Sequence, residues 1–94
     1  MRAKTKQLEA WYDGELQAWR HNVQYDYLAS PVSSRSVSIS FIDGEPVLAD
    51  VVAHGSWIDY NLSDQNDRKL FVNDYGNIID EAKQAVDKDM KKRI

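Results

Sequence analysis

Two histidines, His21 and His54, are the side chains in this 94-residue sequence whose ordinary acid–base chemistry falls nearest neutral pH. His54 stands beside Gly55 and Ser56, with Asp50 and Asp59 close by, so a Ser-His-Asp arrangement centred on His54 is the one enzymatic reading the residue types allow. Such a triad also needs an oxyanion hole, which no motif announces, and a turn histidine is the simpler reading. His21 is read as a solvated residue on the polar side of a helix. Asp64-Gln65-Asn66-Asp67 offers oxygen ligands, but lacks the glycine and the later bidentate Glu of a calcium loop. No His-x-x-x-His pair suggests zinc, and neither glycine-rich phosphate motif occurs. The reading is therefore of no catalytic set, no metal site and no cofactor.

Carboxylates are the more distinctive feature. Between residues 36 and 67 lie Asp43, Glu45, Asp50, Asp59, Asp64 and Asp67, with no Lys or Arg among them. The two ends are basic: Arg2, Lys4 and Lys6 at one, Lys91, Lys92 and Arg93 at the other. Trp57 and Tyr60 stand within the acidic stretch. Carboxylates beside exposed aromatics suit a basic protein surface, since complementary potentials speed encounter and penalise wrong partners. The plainer reading is solubilising charge on turns, where Asp is common for backbone reasons.

The elements that must position these residues follow from periodicity. Leu8, Tyr12, Leu16, Trp19, Val23 and Tyr27 recur at intervals of three or four, within one helical arc of about 100°. This predicts a long N-terminal helix from about residue 4 to residue 28. Asp13-Gly14 is the alternative, a turn that splits the segment. Trp11, Ala18 and Tyr25 recur every seven residues on one flank of that helix, and form a homodimer interface if the arc is too wide for a small core to cover.

Ser30-Pro31-Val32-Ser33-Ser34 reads as a linker. Val37, Ile39 and Phe41 alternate with serines as a strand, Asp43-Gly44 signals a hairpin turn, and Val47, Ala49, Val51 and Ala53 form the returning strand. Pairing Phe41 with Val47, Ile39 with Ala49 and Val37 with Val51 makes one face wholly apolar. That register requires a wider loop or bulge taking in Glu45 and Pro46. Trp57–Leu62 is the third strand and Lys69–Val72 a short fourth. Ile78, Ala82, Val86 and Met90 repeat every four residues as a C-terminal helix, with Asp80 and Glu81 early and the basic cluster late.

The expected fold is thus α+β: a long N-terminal helix, an antiparallel meander of three to four strands and a C-terminal helix, both helices on one sheet face. Residues 1–94 form one domain, with ends at 1–5 and 91–94 expected to fray. The sequence has no cysteine, which rules out disulfides, thiolate metal sites and a cysteine nucleophile. No apolar run reaches the roughly 18 residues of a membrane span, and the basic start leads into no apolar signal core. The expected location is the cytoplasm.

Three function classes remain. The first is a non-enzymatic protein-binding module, an inhibitor or adaptor using an acidic surface against a basic partner. Small anti-defence proteins of mobile elements share this profile of size and composition. The second is a nucleic-acid or nucleotide binder using the basic ends and the aromatics Trp57, Tyr60 and Phe71. The third is a small enzyme centred on His54.

Overall fold

The computed structural model describes residues 3–28, 34–53 and 55–93. Five strands come first: β1 (Ala3–Asp13), β2 (Ala18–Leu28), β3 (Ser34–Ile42), β4 (Glu45–Ala53) and β5 (Ser56–Asn61). They form one antiparallel meander in chain order. Two helices follow, α1 (Gln65–Tyr75) and α2 (Ile78–Arg93).

The expected N-terminal helix is corrected by this architecture: its span is the β1–β2 hairpin. The apolar residues chosen for helical spacing mostly lie an even number of positions apart. Leu8 and Tyr12 therefore share a face of β1, as Trp19, Val23 and Tyr27 share one of β2. The break falls where the competing turn signal stood. Asp13 Oδ1 accepts the N–H groups of Glu15 at 3.0 Å and Leu16 at 3.2 Å, and Gln17 takes φ 54°. An Asp that ties down the two turn amides after it favours reversal over helix propagation.

The β3–β4 hairpin turns on Asp43 (φ 51°) and Gly44 (φ 81°), the two positive φ values of a tight two-residue turn. Val37 faces Val51 and Ile39 faces Ala49, as the apolar face demands. Phe41 faces Pro46, not Val47, because the register shifts between Ser40 and Phe41. The bulge thus lies inside the ladder, and Glu45 and Pro46 belong to β4.

The expected fourth strand at Lys69–Val72 is corrected to part of α1. Asp64 caps this helix through Oδ1 on the Asn66 N–H at 3.0 Å. Phe71 and Tyr75, one turn apart, close over Tyr60 of β5 with ring centroids at 5.3 and 6.5 Å. The sheet thus has five strands where three or four were expected, followed by two helices.

Helix α2 carries Ile78, Ala82 and Val86 into the core and crosses β2, β3 and β4. Beneath it Val23, Tyr25, Val37, Ile39, Phe41, Ala49 and Val51 fill the covered face. Each large apolar side chain here contributes about 1.5–3 kcal/mol by leaving water. Polar contacts set the crossing. Lys83 Nζ donates to Gly44 O at 2.9 Å, and Arg93 lies 4.4 Å above the Trp19 ring.

Candidate interaction face

Helices cover one side of the sheet, and the strands' alternation sends every second side chain to the other. In β1 these are Thr5, Gln7, Glu9 and Trp11; in β2, Arg20, Asn22, Gln24 and Asp26; in β3, Ser36, Ser38 and Ser40. Leu48, Asp50 and Val52 continue the pattern on β4, and Trp57, Asp59 and Asn61 on β5. Register aligns them in rows. Gln7, Gln24, Ser38, Asp50 and Asp59 run straight across all five strands.

Charge on this open face is one-sided. Among the described residues it carries Glu9, Asp13, Asp26, Asp50 and Asp59 against Arg20. That arginine is 3.5 Å from Asp13 and 5.5 Å from the centre of the Trp11 ring. Asp26 is held in place by the Ser36 hydroxyl at 2.9 Å and the Gln24 amide at 3.1 Å. Trp57 stands at the rim, 71% exposed.

Asp50 and Asp59 sit directly opposite one another on β4 and β5. Burial raises the Asp50 carboxyl from 3.8 to about 6, reinforced by hydrogen bonding and charge repulsion with Asp59 and opposed by Trp57. Its Oδ1 is enclosed with no hydrogen-bond partner among the described residues, as are Asn22 Oδ1 and Arg20 Nε on the same face.

The structure distributes the other residues singled out from the sequence. Asp43 occupies the hairpin turn, and Glu45 lies 4.0 Å from Lys83. Asp64 caps α1, and Asp67 accepts the Asn61 N–H at 3.1 Å. Of the six acids, Asp50 and Asp59 meet on the open face, while Asp43 serves a turn, Glu45 opens β4, and Asp64 and Asp67 serve the start of α1. Tyr60 points to the helix side, its hydroxyl donating to Asp74 at 3.3 Å. Burial and the Asp74 charge raise its pKa.

Trp11, Ala18 and Tyr25 form no common surface. Trp11 is 41% exposed on the open face, whereas Ala18 is buried and Tyr25 belongs to the core. Glu9, Asp13 and Asp26 were missed because a helical reading sets Asp26 apart from the other two and joins none of them to the sheet that carries Asp50 and Asp59. The alternation of Gln7, Glu9 and Trp11 with Leu8, Ala10 and Tyr12 was the available signal.

His54 lies outside the described residues. His21 differs from its expected place on a solvated surface: it is wholly buried under α2. Its Nε2 is 2.8 Å from Asp89 Oδ2, and the Arg93 Nε donates to the same oxygen at 2.7 Å. These two hydrogen bonds pull the Asp89 carboxyl below the usual carboxylate range. A sealed imidazole cannot reach a substrate, and its visible work is to tie β2 to α2. Among the described residues no group of three or more His, Asp or Glu is placed to hold a metal ion. None of the described helices is long and apolar enough to cross a membrane.

Comparison with known proteins finds no matching family model, no matching curated protein and no matching solved structure.

Proposed function

We propose that this chain is a non-enzymatic protein-binding module, an inhibitor or adaptor, that presents its open sheet face to a basic surface on a protein partner. The observation that carries the reading is the charge of that face: five carboxylates to one arginine among the described residues, with Trp57 exposed beside Asp59. A flat face of one sign steers a partner of the opposite sign, and an exposed tryptophan supplies the apolar anchor typical of strong contact points.

The same geometry disfavours nucleic-acid stacking. Trp57 and Tyr60 point to opposite faces of β5, and the tryptophan's neighbours carry the charge that repels phosphate.

The test is capture from lysate of the native host by immobilised wild-type chain, Asp50→Asn/Asp59→Asn and Trp57→Ala, each at low and high salt. A specific partner should be retained by the wild type, weakened by salt and lost with either variant. Retention of the same partner by both variants would overturn the assignment of the open face.

A further inference from the structure

The outer side of β1 is an edge with no strand beside it among the described residues. β1 is the first strand of the sheet, eleven residues long, and pairs with β2 in unbroken register from Ala3–Leu28 to Asp13–Ala18. It contains no proline and no bulge; of the devices that blunt edges elsewhere it carries charge, in Lys6 and Glu9, on either side of the apolar Leu8. Its apolar side chains are also left half open: Leu8 is 39% exposed, Trp11 41% and Tyr12 54%. Helix α2 crosses β2, β3 and β4, and Leu8 and Tyr12 stay wet beside it, while Trp11 is exposed on the open face.

We propose that β1 is a homodimer interface, pairing antiparallel with β1 of a second copy to give one continuous ten-stranded sheet. The occupant is identified by how the strand complements itself. Pairing along the whole of Ala3–Asp13 places the two-fold axis at Leu8, the central residue of the strand. Leu8 then meets Leu8 of the second copy, and Lys6 lies opposite Ala10 and diagonal to Tyr12, within reach of a cation–π contact. On the open face Gln7 meets Glu9, an amide donor against a carboxylate, twice by symmetry, and Thr5 meets Trp11.

Neighbouring registers lose this match. Shifting by two residues sets Glu9 against Glu9 in one direction and Gln7 against Gln7 in the other, and either shift leaves two residues of each strand unpaired. A shift by one residue would run the helix-covered face of one copy into the open face of the other. The full overlap also joins about ten backbone hydrogen bonds between the copies. A two-fold interface built from one self-complementary strand closes on itself, so assembly stops at two. The inference does not depend on what the open face binds.

The absence of native cysteine makes the test direct. Light scattering after sizing, at micromolar to millimolar concentration, should give the wild type twice its 10.8 kDa chain mass. Leu8→Lys, which opposes two like charges at the axis, should return it to the single mass with unchanged circular dichroism. Facing Cα atoms in such a ladder are about 4.5–5.5 Å apart, within the span of a disulfide. Leu8→Cys should therefore crosslink under mild oxidation, while Ile58→Cys on the opposite edge strand should not. A wild type that keeps the single mass throughout that range overturns the proposal, as does a dimer that crosslinks through Ile58→Cys and not through Leu8→Cys.

Discussion

Asp50→Asn perturbs a place on the open face where two carboxyls are forced together, and its effect on stability should depend on pH. The folded Asp50 holds its proton up to about pH 6, against 3.8 for a free side chain. Between those values the folded state binds more protons than the unfolded state, so stability falls as pH rises through the window. The penalty is complete above the folded pKa and absent below the unfolded one. Two pH units correspond to roughly 3 kcal/mol at 1.36 kcal/mol per unit. One oxygen of Asp50 is enclosed, but the carboxyl stands on a solvent-facing sheet, and screening reduces this to about 1 kcal/mol. Asn is neutral at every pH and its amide can donate to Asp59. The variant should thus exceed the wild type by about 1 kcal/mol at pH 8, or about 4–8 °C in Tm for a domain of this size, and match it at pH 4. Urea titrations followed by tryptophan fluorescence at both pH values provide the comparison. A difference that is the same at pH 4 and pH 8, or a variant less stable than wild type at pH 8, would refute the account of the Asp50–Asp59 pair.

Asp89 has the opposite sign. Its folded pKa is depressed by Arg93 and His21, so its contribution is present above the unfolded value of 3.8 and is lost as pH falls through the folded one. Acid titrations should show an increment of stability lost in that window by the wild type and missing from Asp89→Asn. At neutral pH, Asp89→Ala leaves buried His21 without its partner and should cost about 1–3 kcal/mol in chemical denaturation. Phe71→Ala removes a wholly buried ring that contacts Tyr60 and Tyr75, an expected loss of about 3–5 kcal/mol and a large share of the stability of so small a domain. Gly44→Ala should cost about 1–2 kcal/mol in the same assay. Its added Cβ would meet Asp87 at an ordinary 3.7 Å, so the strain comes from φ +81°.

Local signals in this chain are reliable where one interaction range decides the outcome. Asp43-Gly44 needs positive φ at both positions, and the alternation of Val37, Ile39 and Phe41 with serines leaves one apolar face. The hairpin and most of its register were therefore readable before any tertiary contact was known. The recurrence of Ile78, Ala82, Val86 and Met90 likewise marked α2, because no turn signal interrupts it.

Residues 4–28 were decided differently. Most intervals there are of four, which is close to a helical turn and also an even number, so Leu8 and Tyr12 share a face in either conformation. A helix satisfies its own backbone, whereas a strand needs a neighbour. The neighbours of β2 lie on β1 and β3, and no local window contains that pairing. Lys69–Val72 went the other way for the same reason: Asp64 caps the helix, and Tyr60 offers the aromatic surface on which Phe71 and Tyr75 settle. The sequence by itself determined that thiol chemistry is absent and that residues 36–67 carry acids with no Lys or Arg among them. Only the tertiary fold decided which acids meet, since Glu9, Asp13 and Asp26 come from β1 and β2 and join Asp50 and Asp59 solely through strand register. It also decided the burial of His21, because the carboxylate that receives it stands 68 residues away on α2.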